Sequence, residues 1–182
     1  MPCRRPIALV ALALVVALAA GASLAPAAEA GSTNAASATR VQPLEQLLLR
    51  QVNAIRQANG LGELSRSGAL TRAAAFHSRA MATLGFFTHE SRNGASFSAR
   101  VGRFYRPVTR GIQLGENLAM FGGTPPTAEA IVAAWMASPG HRAILLQRVF
   151  RDAGIGIVHH PQAGGVFGGQ PTWVITLDVG RR

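Results

Sequence analysis

The chain contains no lysine, a single cysteine (Cys3) and only eight acidic residues against eighteen arginines. One cysteine excludes an intrachain disulfide. Because Cys3 lies in the first few residues, N-terminal processing would also leave no thiol nucleophile in the mature chain. No Gly-x-Ser-x-Gly sequence is present, which removes the strand-to-helix serine elbow of the α/β-hydrolases. The acid deficit leaves a formal net charge of +10, carried entirely by arginine. A charge of that size fits either nucleic acid or an anionic envelope surface. Aromatics make up 6% of the chain and do not alternate with the arginines. No base-stacking platform is therefore expected, and nucleic acid is not expected as a partner.

Long hydrophobic runs are also scarce beyond Ile7–Ala20. That run follows Arg4 and Arg5 and precedes two small-x-small sites, Ala25-Pro26-Ala27 and Ala28-Glu29-Ala30. A charged start, a short apolar run and a small-residue site make a secretory signal peptide over residues 1–30, with export to the periplasm or medium and no membrane span after processing. Removing residues 1–30 takes away Arg4, Arg5 and Glu29 and leaves +9. Residues 31–42, mostly Gly, Ser, Thr, Ala and Asn, are expected as a flexible linker. Residues 43–182 form one domain, long enough to bury a core without cross-links. It is expected to be a monomer.

Hydrophobic periodicity predicts a first helix starting near Pro43 and ending at Asn59-Gly60, with Leu44, Leu47, Leu48, Val52 and Ile55 on one side. Ser67 is placed to cap a second helix, over about 68–84, stopped by Gly85. His77 falls on its apolar face and is expected as a core histidine whose ring nitrogens find polar partners. A short helix is predicted over 97–103 and a strand or extended segment over 114–120. Thr127 caps a helix over 128–137, and Ser138-Pro139 opens a fourth short helix carrying His141. Strands are predicted over 153–160 and 172–179, joined by a Gly-rich hairpin loop. Helices first and an antiparallel pair last give an α+β fold. His159-His160 reads as a solvated pair at a strand end.

Several short motifs stand in a fixed order: Asn53-x-x-Arg56, His77-Ser78-x-x-Met81, Phe86-Phe87-x-His89, Gly115-Glu116-Asn117-Leu118, Trp135-x-x-Ser138-Pro139-Gly140-His141-Arg142, Gly154-Ile155-Gly156 and Trp173. Together they resemble the bacterial branch of the CAP superfamily (cysteine-rich secretory proteins, antigen 5 and pathogenesis-related proteins), whose module is also called the SCP domain. The likeness spans about residues 44–180. It implies an α-β-α sandwich with a small, mainly antiparallel sheet, and a cleft formed by His89, Glu116 and His141. Ser138 stands where many eukaryotic members have a second glutamate, so the family's tetrad is incomplete.

Two imidazoles and a carboxylate could hold a divalent metal such as zinc, or form a hydrogen-bonded cluster that shapes the cleft. No residue is assigned a catalytic role. The resulting expectation is an exported, non-enzymatic module that binds a lipid or another envelope component. The alternative is a metal-dependent hydrolase or peptidase acting on envelope or extracellular substrates.

Overall fold

The computed structural model describes residues 33–106 and 113–181, with side chains from Pro43 onward. The expected signal peptide lies outside the described residues, as does part of the loop that follows the third helix. Helix α1 runs Thr33–Ala58, β1 Ser65–Arg66, α2 Gly68–Leu84, α3 Phe97–Gly102 and β2 Gln113–Gly122. Next come α4 Ala128–Ala137, α5 Pro139–Leu145, β3 Asp152–Ala163 and β4 Gln170–Arg181, with a single 3-10 turn Gly165–Phe167 between the last two strands.

The four strands lie in the order β1-β3-β4-β2. Strand β4 pairs antiparallel with both β2 and β3, and only the two-residue β1 is parallel, to β3. Alternate residues of the strands face opposite layers. Ile155 and Ile157 of β3 join Ile175, Leu177 and Val179 of β4 in a core shared with Leu48 and Val52 of α1 and Ile131, Val132 and Trp135 of α4. Val158, Val174 and Leu118 point the other way, onto Met81 and Ala82 of α2. The sheet is thus covered on both faces, which is the α-β-α sandwich expected from the sequence.

Helix α2 lies against β3 with almost no side chain between them. A Cβ added to Gly154 would sit 2.0 Å from the Thr71 amide nitrogen, and one added to Gly156 would sit 2.2 Å from that of Ala75. The Gly-Ile-Gly segment therefore serves close helix–sheet packing on one face and core filling by Ile155 on the other. Ser78 fixes the register of this contact: its hydroxyl is 2.9 Å from the Gly156 carbonyl and 2.8 Å from Thr176 Oγ1.

Capping explains the helix limits. Ser67 accepts from the Leu70 amide, Gly85 closes α2 in the left-handed region at φ 69°, and Thr127 accepts from the Ala130 amide. The start of the first helix departs from expectation. Helix α1 starts at Thr33, so the segment read as linker is helical from that residue and Pro43 lies inside the helix rather than at its start. The alanines at 35, 36 and 38 have the highest helix propensity, which the proline start signal masks. Ser138 precedes α5, but its hydroxyl caps no amide there. Strand β3 also continues through Pro161 to Ala163, with an irregular register after His160. A proline that donates no hydrogen bond is tolerated at such a bulge.

Gly156→Ala should lose about 3 kcal/mol in urea unfolding, because the methyl meets backbone that cannot yield. Gly62→Ala, whose added Cβ would have nothing within 4 Å, should change stability by less than about 0.5 kcal/mol.

Candidate functional site

Strand β2 is the edge of the sheet, and its neighbours in sequence face opposite layers. Glu116 points to the α2 side, where Leu118 and Met120 also lie, while Asn117 points to the α5 side. His89 and His141 reach this edge from the two layers.

His89 stands on the loop after α2. Two bonds hold that loop: His77 Nε2 donates to the Thr88 carbonyl at 2.9 Å, and Arg100 Nη1 of α3 donates to the His89 carbonyl at 2.8 Å. His89 Nδ1 then donates to Glu116 Oε1 at 2.8 Å, as expected from the sequence. The second Glu116 oxygen goes to Arg100 Nη2 rather than to His141. The Arg100 and Glu116 side chains are each only 1% exposed, against 48% for His89. Glu116 is therefore held between a buried guanidinium and a half-exposed imidazole.

His141 is tied into the site by its backbone, whose carbonyl accepts from Asn117 Nδ2 at 3.0 Å. Its imidazole makes no bond to Glu116 among the described residues, but it lies near enough to His89 for that ring's charge to weigh on it. Ser138 makes no hydrogen bond to His89, Glu116 or His141. His159 lies elsewhere, stacked on Trp173 with ring centroids 4.6 Å apart, and His160 Nδ1 accepts from the Gln162 amide at 3.2 Å. These two histidines are half-buried, not freely solvated.

Two members of the cluster were not picked out from the sequence. Arg100 is one of eight arginines between Leu64 and Gly115, and nothing local marks it. Asp178 carried little signal: it is the lone acid of the strand Trp173–Val179, but it shares parity with Thr172 and Thr176 rather than with Trp173, Ile175, Leu177 and Val179. It pairs across the strands with Glu116 and is fully buried.

The charges settle in one pattern. Burial, and then the charge of Glu116, push Asp178 well above the ordinary carboxylate range, which favours its protonated form. Burial works to raise Glu116 as well, but the His89 hydrogen bond and the Arg100 charge outweigh it and bring Glu116 below its usual value. The two acids are thus pushed apart, Glu116 toward the carboxylate and Asp178 toward the neutral acid. The hydrogen bond His89 donates to Glu116 raises His89, against the opposing effect of burial. Burial, and then the charge of His89, lower His141. His77 is pushed down to about 4, by burial first and then by Arg100. Because the Thr88 carbonyl can only accept, His77 carries its proton on Nε2. Its Nδ1 has no partner among the described residues, so the core-histidine reading holds with one ring nitrogen satisfied.

The donor set fits a metal poorly. No three His, Cys, Asp or Glu side chains come together to hold an ion among the described residues. Both Glu116 oxygens are taken, one of them by a cation. Nor does His89 or His141 hydrogen-bond any hydroxyl of a described residue, as a nucleophile–base pair would require.

His77 sets a pH dependence. Its folded value of about 4 lies below its ordinary 6.5, so the unfolded chain binds a proton that the folded chain refuses, and stability falls between those values on acidification. His89, raised on folding, acts in the opposite direction: its contribution is present below its ordinary value and is lost as pH rises through its folded one. Glu116 contributes above about 4.5 and loses that contribution as pH falls through its lower folded value. From pH 7 to 4.5 the wild type should therefore lose about 2–3 kcal/mol relative to His77→Gln in urea unfolding. Parallel stability curves would contradict the neutral, buried assignment of His77.

Comparison with known proteins gives the same architecture. The family described as "Cysteine-rich secretory protein family" matches residues 49–176. The fold is similar to that of an extracellular SCP-domain protein from Bacillus anthracis, at TM-score 0.64 and 23% identity, covering 85% of this chain and 45% of that one. A cysteine-rich secretory protein from Staphylococcus aureus aligns at TM-score 0.56 and 16% identity, covering 79% and 40%. An outer surface protein from Borrelia burgdorferi aligns at 0.53 and 17%, covering 75% and 91%. The chain thus spans under half the length of the first two. No curated protein sequence matches it. With the matched segment running from mid-α1 to β4 and every layer of the sandwich in place, the chain belongs to the CAP family of cysteine-rich secretory proteins.

Proposed function

We propose that this CAP domain is an exported, non-enzymatic binding module of the cell envelope, whose ligand site is the half-exposed His89 over the buried Glu116–Arg100 pair. The observation that carries this reading is that Glu116 is already neutralised. A carboxylate held by Arg100 and His89 is a fixed acceptor frame rather than a free base or a metal ligand. His89 presents the solvent-facing part of that frame, oriented through Nδ1, and can offer Nε2 to a polar ligand. Export is supported by the charged start, apolar run and small-residue site of residues 1–30. The Bacillus and Borrelia proteins of similar fold are described as extracellular and outer-surface, which agrees with it.

One observation favours a second reading. A histidine whose Nδ1 is fixed by a carboxylate also has the geometry of a general base, so hydrolysis of an envelope substrate, with or without a metal, is the alternative. Isolated cell envelopes separate the two. The binding reading expects saturable binding that His89→Ala weakens by at least about tenfold, with no release of soluble fragments in the presence or absence of zinc. Fragment release that is lost in His89→Ala would overturn it in favour of hydrolysis.

A further inference from the structure

The outward side of α2 has no role in the core or in the Glu116 site. Arg72, Phe76, Arg79 and Thr83 are all exposed and follow one another at intervals of four, three and four residues. At 100° per residue they fall within a narrow arc, a stripe about 16 Å long. Phe76 leaves half of its surface in solvent although it sits mid-helix. It is seated on Phe104, the ring centroids 5.8 Å apart, and Phe104 is flanked by exposed Arg103 and Arg106.

The two helices that form this surface carry one sign of charge. Helices α2 and α3 contain no acid, and between Leu64 and Gly115 the sequence has eight arginines and one acid, Glu90. Among the described residues none of Arg72, Arg79, Arg103 or Arg106 forms an ion pair; the salt bridges found there all belong to Glu116.

We propose that this face of α2 docks on an anionic lipid surface, with Phe76 entering the headgroup layer and Arg72, Arg79, Arg103 and Arg106 meeting the phosphates. The charge complementarity selects an anionic partner. The exposed ring at the centre of the arginines selects a bilayer over a soluble polyanion, because an aromatic side chain gains by entering the boundary between headgroups and acyl chains. Arginine suits the task, since its planar fork binds phosphate oxygens in pairs. The stripe lies on the opposite side of α2 from His77, so the helix presents one face to the membrane and the other to the buried cluster. The inference relies on export for access to an envelope but makes no use of Glu116 or His89, so its failure would leave the ligand-site reading standing.

The test uses the full chain carrying Phe76→Trp. Trp135 and Trp173 are buried, so the new emission reports on the stripe. Titration with vesicles of phosphatidylcholine and phosphatidylglycerol should shift this emission to the blue, and about 0.5 M salt should reverse the shift. Pure phosphatidylcholine vesicles should leave it nearly unchanged. Adding Arg72→Gln and Arg79→Gln should raise the lipid concentration at half-saturation about 25-fold, at roughly fivefold per arginine. Co-sedimentation of the chain with Phe76 intact, with and without the two arginine substitutions, reads the same difference should the probe disturb the fold. No shift on anionic vesicles, an equal shift on neutral ones, or no effect of the arginine substitutions would overturn the proposal. So would saturation by soluble polyglutamate with none on vesicles.

Discussion

Arg100 is a buried guanidinium at the meeting point of α3, the loop after α2 and the edge strand β2. Leaving a buried guanidinium without acceptors is costly, and here the acceptors are a carboxylate and a main-chain carbonyl. Glu116 supplies the charge and the His89 carbonyl supplies an acceptor. These two contacts join α3, the loop after α2 and the edge strand β2, which are otherwise separate in the chain. Asp178 sits across the strands from Glu116 and is pushed toward its neutral form, which limits the negative charge beside the Glu116–Arg100 pair. The placement of His89 follows from this pair, because both its ring and its backbone are bound to it.

The same constraint explains why the two histidines differ. His89 shares the Glu116 carboxylate and gains basicity, whereas His141 is attached through its main chain to Asn117, on the other face of β2, and loses basicity through burial. One strand thereby holds both sides of the site, with alternate residues assigned to alternate layers. His77 is the second consequence. Buried beside Arg100 and unable to accept charge, it stays neutral while tying Thr88 to α2. Arginine at a second buried position bonds main chain alone: Arg56 donates to the carbonyls of Gly62, Leu145 and Gln147 and locks α1 to the end of α5, the helix that carries His141.

Much of the framework was legible in the sequence because local signals and tertiary packing agree. Ser67, Gly85 and Thr127 mark helix ends by capping chemistry, and the structure uses all three. Gly154-Ile155-Gly156 reads as a strand from its alternation, although only the structure reveals that the glycines admit the α2 backbone. The start of α1 was hidden because Pro43 is a good first-turn residue and also tolerable within a long helix. In the site, the His89–Glu116 contact was legible through the ordered motifs. The Arg100 partnership was not, because no sequence rule separates one buried arginine from seven neighbours of the same type. His141 was expected to bond Glu116, and the alternation of strand residues shows why its tie runs to Asn117 instead. Asp178 was hidden by its parity with Thr172 and Thr176, the polar side of the alternation, and only the structure shows that α2 buries that face as well.

A double-mutant cycle on Arg100 and Glu116 tests the central claim most directly, with stability measured by urea unfolding of Arg100→Leu, Glu116→Gln and the pair. Each single change leaves an uncompensated buried partner and should cost about 3–5 kcal/mol, while the double change removes both and should cost at least about 2 kcal/mol less than the sum. Additive costs would mean that Arg100 and Glu116 do not depend on one another, and the account of the site built on their pairing would be wrong.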